Sequence, residues 1–207
     1  MNKTIIILVT LFLAAPVFGQ QTPFNEVKGQ PEFEPASFEF SALGERFKLL
    51  ANGRGQTIGG AVRRFNLRIS RGDRLDRVLY HAEYEGDLLL ICEYGDVESG
   101  AGFISRLDGR NLRLKWKRSI PAFNVGPGLI EGHSAYVTAL GFIAKVNLAS
   151  GSLAWQHRNL YRDNHFTAFE LPRLEKDTVI FKEFATYPEQ TKTITVDKRS
   201  GKLISVR

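Results

Sequence analysis

The segment HRNLYRDNH, residues 157–165, contains the side chains of this sequence that are best suited to binding a metal ion. His157, Asp163 and His165 are common metal ligands, and the spacing of the last two could place them on one face of an extended segment. No second group of ligands accompanies them, so we predict a solvated loop and no metal site. Because aromatic and basic residues alternate here, the loop suits a sugar or a protein partner. We therefore name His157, Tyr161 and His165 as candidate partner-binding residues.

Sequence motifs for catalysis are missing. The nucleophile motif Gly-x-Ser-x-Gly does not occur, and His133 and Ser134 are adjacent residues that would point to opposite faces of a strand. The glycines of NGRGQTIGG lack the spacing and the strand-to-helix setting of a dinucleotide site. Cys92 lies in the apolar run LLLICEY, which is typical of a buried small side chain. We predict no catalytic residue and no cofactor.

Basic residues crowd the segment 54–77. It contains seven arginines and only two acids, Asp73 and Asp76, in a chain whose formal net charge is +6. Such a cluster could gather an anionic polymer, and we name Arg63, Arg64 and Arg68 as its candidate contacts. The alternative, which charge runs generally favour, is an ordinary solvated face.

The N-terminal residues have the order of a secretory signal peptide. A short basic start precedes a run of apolar residues and then small residues, which predicts a signal peptide at 1–19; an N-terminal membrane anchor is the alternative. Export argues against nucleic acid as a partner, and no second apolar span follows. A single cysteine cannot form an internal disulfide, so stability must come from packing. Residues 20–40 contain several prolines and are interpreted as an extended leader.

One pattern is repeated without a gap. AGFISRLDGRNLRLKW, residues 101–116, aligns with LGFIAKVNLASGSLAW, residues 140–155, and the tail TKTITVDKRSGKLISVR resembles both. Each copy reads as a strand, a polar turn and a second strand. A unit of about 40–50 residues with three or four short strands is the size of a propeller blade. We predict Trp116 and Trp155 to be largely buried, at equivalent places in adjacent sheets.

The predicted fold is all-β and β-propeller-like. Three clear sheets are expected to begin near Tyr84, Ile130 and Leu174. A divergent N-terminal unit is expected in GERFKLLANG, which we interpret as a strand by aligning Glu45 with Glu85; GAVRRFN would then align with residues 141–147. The repeat domain is expected to span residues 41–207 as a single domain.

The copies resemble the pyrroloquinoline-quinone-like (PQQ-like) propeller repeat. That family's pattern has a glycine, an Ala-x-Asp, a Thr/Ser-Gly turn and a tryptophan. The matching residues are Gly141, Asn147, Ser150, Gly151 and Trp155 in one copy, Gly102, Asp108 and Trp116 in the earlier copy, and Asp197, Ser200 and Gly201 in the last. The family's alanine is replaced by Arg106, Lys145 and Thr195, Leu112 replaces one turn glycine, and Ser205 replaces the last tryptophan.

The resemblance implies a function as well as a fold. The family's dehydrogenases hold their quinone with a disulfide between adjacent cysteines and a calcium site, and a single cysteine argues against that activity here. We therefore expect a periplasmic or secreted binding or scaffold protein, whose partner is a protein or an anionic envelope polymer and which is a candidate homodimer. The alternative is an envelope enzyme such as a glycan-acting hydrolase. The leader is expected to pair as a strand with the last unit, near residues 194–206.

Overall fold

A computed structural model describes residues 21–28, 37–70, 72–95, 100–184 and 191–207. The predicted signal peptide and Arg71 lie outside these ranges. In the described residues the structure has eighteen strands and one short helix. They are β1 (Gln21–Pro23), β2 (Asn25–Lys28), β3 (Ser37–Ala42), β4 (Glu45–Leu50), β5 (Arg54–Ile58), β6 (Arg64–Asn66), β7 (Arg74–Tyr84), β8 (Asp87–Gly95), β9 (Gly100–Leu107), β10 (Leu114–Ile120), β11 (Leu129–Glu131), β12 (Ser134–Ala139), β13 (Phe142–Asn147), β14 (Leu153–His157), α1 (Leu160–Asn164), β15 (Arg173–Leu174), β16 (Thr178–Lys182), β17 (Thr193–Asp197) and β18 (Leu203–Val206).

The strands form four antiparallel sheets, each built on a meander of four consecutive strands, and two of the sheets carry a fifth strand. We call them blade 1 (β3–β6), blade 2 (β7–β10), blade 3 (β11–β14) and blade 4 (β15–β18). The all-β, propeller-type prediction is therefore confirmed. Blades 3 and 4 begin at Leu129 and Arg173, as expected, whereas blade 2 begins at Arg74, because Tyr84 ends its first strand.

The divergent unit is a full blade, but its predicted alignment is wrong. Leu43 and Gly44 form the two-residue turn that Glu85 and Gly86 form in blade 2, with φ angles of 53° and 70° against 51° and 75°. Leu43, and not Glu45, is thus equivalent to Glu85. GAVRRFN contains the fourth strand of blade 1 and not the third, which is β5.

Three hydrophobic clusters join the blades in chain order, between blades 1 and 2, blades 2 and 3, and blades 3 and 4. Neighbouring residues of β8 supply two of them, since Leu88 and Leu90 face blade 1 while Leu89 and Ile91 face blade 3. This explains the unbroken apolar run, because a sheet that is covered on both faces needs apolar residues at every position. Within the described residues, none of the three clusters joins blade 1 to blade 4.

The leader contributes strands, but not to the last blade. β1 pairs with β11 and β2 pairs with β7, so both extend the first-strand edges of blades 3 and 2. Phe24 between them is 5% exposed, and its N–H donates to the carbonyl of Gly128 at 2.9 Å. The predicted pairing with residues 194–206 is wrong, because in the described chain β18 pairs with β17 alone. Blade 1 begins at Ser37, inside the segment interpreted as leader.

The described residues contain no helix that is long and apolar enough to span a membrane.

Candidate binding cleft and blade-docking contacts

An open cleft of about 460 Å³ lies where blades 2 and 3 meet. Three connections form it: the loop from β10 to β11, the turn from β12 to β13, and the segment from β14 into α1. The described residues that line it are Gly100, Pro121, Ala122, Phe123, Leu140, Arg158, Asn159, Tyr161 and Arg162. The cleft therefore lies at one end of the blades. This end carries the connections from the second to the third strand of each blade and the connections from one blade to the next.

Gly141 anchors one wall of the cleft. It adopts a left-handed backbone with φ 57°, and a Cβ there would collide with the backbone and Cβ of Tyr161. Its carbonyl accepts the N–H of Leu160, and its own N–H donates to the carbonyl of Thr167, both at 3.0 Å. Leu160 is buried, so α1 is fixed to the turn by packing as well as by hydrogen bonds. The neighbouring Tyr161 consequently points outward and is 52% exposed.

The opposite wall carries a second exposed aromatic ring, that of Phe123, which is 45% exposed. The N–H of Leu140 donates to its carbonyl at 2.8 Å, which ties the two loops together. Two guanidinium groups complete the cleft. Arg158 donates through Nε to Gln156 and Arg162 through Nε to Asp163, so each keeps other N–H groups for a ligand.

The chemistry of this lining suits binding. Aromatic rings supply apolar contact area, and guanidinium groups recognise carboxylates or phosphates through paired hydrogen bonds. None of the described lining residues is a Ser, Cys, His, Asp or Glu, the residue types that usually act as nucleophile or general base.

Further apolar side chains are exposed at the same end of the blades. Leu171, 42% exposed, lies in the connection from blade 3 to blade 4, and Phe184, 63% exposed, follows the second strand of blade 4. In an antiparallel meander these two kinds of connection leave the sheet at one end. Leu171 and Phe184 are thus displayed along the same rim of the blades as Phe123 and Tyr161.

The repeated tryptophans dock one blade onto the next. Trp116 donates through Nε1 to the carbonyl of Leu148, and Trp155 donates to that of Lys198, both at 3.1 Å. Each indole covers the glycine of the following turn. A Cβ at Gly151 would lie 2.6 Å from Trp116, and one at Gly201 would lie 2.5 Å from Trp155. The equivalence of the two tryptophans is confirmed, but only Trp155 is buried, whereas Trp116 is half-buried.

The acceptor turns are built alike from local sequence. The Oδ1 atoms of Asp108 and Asn147 each accept two backbone N–H groups of their own turn, and Oδ1 of Asp197 accepts both the N–H and the hydroxyl of Ser200. The left-handed position belongs to Leu112, Gly151 and Gly201, with φ 58°, 69° and 75°. Leu112 tolerates this conformation while its side chain is buried against blade 1.

The residues that replace the family's alanine take part in docking. Arg106 Nη1 donates to the carbonyl of Leu148 at 2.9 Å, and Lys145 Nζ donates to that of Lys198 at 3.0 Å. These are the same carbonyls that the tryptophans use. In blade 4, Thr195 and Ser205 stand at the corresponding positions.

Blade 1 docks through an arginine. Arg63 Nη1 donates to the carbonyls of Gly109 and Arg110 at 2.8 and 2.6 Å, and Nη2 binds Glu45 at 2.5 Å. Gly109 directly follows the turn residue Asp108, just as Leu148 directly follows Asn147. Arg63 therefore binds the carbonyl of the next blade's turn, the role that tryptophan has in blades 2 and 3. Sequence reasoning missed this role because a guanidinium group leaves no tryptophan signature.

The six residues named as candidate contacts do not share one surface. Arg63 lies between blades, and Arg64 is exposed on the outer side of blade 1. Arg68 has φ 52°, and its carbonyl accepts Lys117 Nζ. Of the remaining three, His157 Nε2 contacts the carbonyl of Gly201 at 2.7 Å, His165 ends α1, and Tyr161 alone lines the cleft.

Gly102 and Gly141 match in sequence but differ in structure. Gly141 sits in a turn, whereas Gly102 lies within β9, where a Cβ would collide with Val125. Among the described residues, no group of three or more His, Cys, Asp or Glu side chains is placed to hold a metal ion.

A buried carboxylate, which the sequence did not single out, supports the docking groups of blade 2. Asp87 binds Arg106 Nε, accepts Lys115 Nζ at 2.7 Å and accepts the N–H of Gly109 at 3.0 Å. Burial alone would raise the pKa of this carboxyl, but hydrogen bonds from Lys115, Gly109 and Arg106 together hold it below its ordinary value. Arg106 is thereby positioned to reach the carbonyl of Leu148 in blade 3.

Comparison with known proteins supports the fold. No protein-family model and no curated protein matches this chain. A europium-containing methanol dehydrogenase superposes with a TM-score of 0.50 and 13% identity over 82% of this chain. Apo AztD from Citrobacter koseri superposes with a TM-score of 0.47 and 14% identity, over 87% of this chain and 56% of the AztD chain. BamB from Moraxella catarrhalis superposes with a TM-score of 0.41 and 9% identity, over 91% of this chain and 79% of the BamB chain. This chain spans 40% of the dehydrogenase's length, and at such identity the likeness concerns the fold alone. The fold is a β-propeller-type repeat.

Proposed function

We propose that this protein is an exported, non-catalytic binding or scaffold module of the cell envelope, and a short, divergent member of the PQQ-like repeat family. The signal-peptide pattern at residues 1–19 supports export, and the docking turns with Trp116 and Trp155 support the family. The observation that carries the binding role is the cleft, with two exposed aromatic rings and two guanidinium groups on a firmly packed base.

The composition of the cleft favours a protein partner. Aromatic and arginine side chains are the residue types that dominate binding energy in protein interfaces. Phe123 and Tyr161 would provide the apolar centre, and Arg158 and Arg162 would bind acidic groups of the partner at its margin. The exposed Leu171 and Phe184 would extend the contact along the rim. The described lining supplies no acid pair for the glycan-acting hydrolase considered above.

The fold is suited to a scaffold because the loops that form the cleft stand on buried cores. Both blades that contribute to it share one hydrophobic cluster, and blade 3 packs on blade 4 through another. A preformed surface of this kind loses little conformational entropy on binding.

Site-specific cross-linking tests this function. A photo-reactive phenylalanine analogue at Tyr161 is expected to capture a defined partner in the intact envelope. The matched control carries the analogue at Ile204, which is equally exposed at 56% against 52% but lies on β18 of blade 4. Replacing Phe123 with alanine in the Tyr161 probe protein should lower capture about tenfold, the effect of removing one central aromatic contact. Identical captured bands from both positions, or turnover of an envelope glycan, would refute the proposal.

A further inference from the structure

The outer face of blade 1 has cations where the other blades have buried apolar residues. In each blade, alternate residues of the second strand face the blade before it. These residues are Leu88 and Leu90 in blade 2, Ala135 and Val137 in blade 3, and Val179 and Phe181 in blade 4, and all are fully buried. The equivalent residues of blade 1 are Arg46 and Lys48, with side chains 65% and 39% exposed. No blade of the described chain therefore packs against this face.

The third and fourth strands extend the same basic face. Gln56 pairs with Lys48 on one side and with Arg64 on the other, while Arg54 pairs with Asn66. Both arginines are exposed. Same-face neighbours lie about 7 Å apart along a strand and about 5 Å apart between strands, so the four cations form one array.

The array is not neutralised. Glu39 is the acid on this face, and it is shared by Arg46 at 3.4 Å and Lys48 at 3.6 Å. In the part of the chain that the structure describes, neither Arg54 nor Arg64 has an ion-pair partner. Soluble surfaces commonly intersperse both signs of charge. Among the described residues, four cations against one carboxylate leave an excess of positive charge on this face.

We propose that this outer face of blade 1 binds an extended, carboxylate-bearing polysaccharide of the uronic-acid type. Its four cations are spread over three neighbouring strands, so successive carboxylates of an extended polymer can reach several of them. Gln56 lies between Lys48 and Arg64, while Ser41 and Asn66 lie beside Arg46 and Arg54, and all three can hydrogen-bond sugar hydroxyls. The described outward residues of β3–β6 include no aromatic ring, the group on which proteins stack nucleic acid bases.

This second surface goes beyond the proposed protein-binding role and is separate from it, because no described residue of the cleft belongs to blade 1. Binding at one surface can therefore be lost while the other is kept. Of the three arginines named from sequence as candidate contacts, only Arg64 lies on this face, because Arg63 docks blade 1 onto blade 2 and Arg68 lies beyond the end of β6.

The test measures binding of the full exported chain to polygalacturonate by titration calorimetry at low and high salt. Arg54→Gln with Arg64→Gln should weaken binding about tenfold, because two exposed ion pairs are removed. The control, Arg199→Gln with Lys202→Gln, removes the same charge from an exposed turn of blade 4 and should leave the affinity unchanged. The protein should not bind neutral dextran, and the alanine variants of Phe123 and Tyr161 should bind polygalacturonate normally.

Three results would overturn the proposal. They are no binding of polygalacturonate, an equal loss in the blade 4 control, and retention on phosphatidylglycerol-containing vesicles without binding to the polysaccharide. Circular dichroism and the melting temperature of each variant establish that the fold is intact. The substituted side chains are all exposed, so both should match the unmodified protein.

Discussion

Replacing Trp155 with alanine tests whether the repeated tryptophan holds blades 3 and 4 together. The indole is 8% exposed and contacts Tyr136 and Phe181, with ring centroids 6.0 and 6.4 Å apart. It also covers Gly201 and donates a hydrogen bond to the carbonyl of Lys198. Its removal would leave a cavity at the joint between two sheets.

The expected loss in the free energy of unfolding is about 3–5 kcal/mol, the usual effect of truncating a buried Trp or Phe to alanine. The lost hydrogen bond adds little, since the carbonyl of Lys198 still accepts Lys145 Nζ at 3.0 Å. For a domain of this size the loss corresponds to a decrease of about 6–20 °C in melting temperature.

Urea unfolding and a thermal melt measure the effect. Trp155→Phe is the matched control: it keeps much of the apolar volume and loses the hydrogen bond, so it should cost clearly less than alanine. Trp116→Ala should also cost less, because Trp116 is only half-buried. A melting temperature within about 2 °C of the unmodified protein for Trp155→Ala would refute the docking role.

Four other changes have defined outcomes. Gly201→Ala should destabilise by more than about 1 kcal/mol, since it forces a side chain into a left-handed backbone beside Trp155, and the shift in tryptophan fluorescence would report it. Because the pKa of Asp87 is lowered in the folded protein, its carboxylate stabilises the fold above about pH 4, and this stabilisation is lost as the pH falls through the lowered pKa. Asp87→Asn should therefore make the free energy of unfolding fall less steeply in acid. Urea unfolding at several pH values measures this. Phe24→Ala should lower the free energy of unfolding by about 3 kcal/mol and speed amide exchange in β7 and β11. Unchanged exchange would contradict the conclusion that the leader stabilises these two strands. Burial raises the pKa of the Cys92 thiol, so a thiol reagent should label it only after unfolding.

The parts of the fold that follow from short-range chemistry were predictable. The turns at Asn147 and Asp197 depend on a side chain that binds its own backbone and on a glycine that adopts positive φ, and both are encoded within five residues. Blade 1 was misaligned because Glu45 was matched to Glu85 by residue type, whereas the equivalent turn residues are Leu43 and Glu85, each followed by a glycine at positive φ.

The candidate site was largely beyond the sequence. Its walls come from connections about Phe123, Leu140 and Tyr161, which are brought together by the packing of two blades and not by any local pattern. Of the predicted contacts, Tyr161 was placed in the cleft, while Arg63 was drawn into the joint between blades 1 and 2. The sequence does not indicate whether the guanidinium group of an arginine faces solvent or a backbone carbonyl of a neighbouring blade.

The sequence by itself determined that the chain consists of repeated β-units, because hydrophobic alternation, Asx turns and glycines act over a few residues. Tertiary structure decided which edges and faces those units leave free. The leader pairs with β7 and β11 because those strands present open edges, and the cations of β4 stay exposed because, within the described residues, no blade packs on that side of blade 1. Both outcomes depend on contacts between residues that are far apart in the chain, and the strength of such contacts cannot be derived from a short segment of sequence.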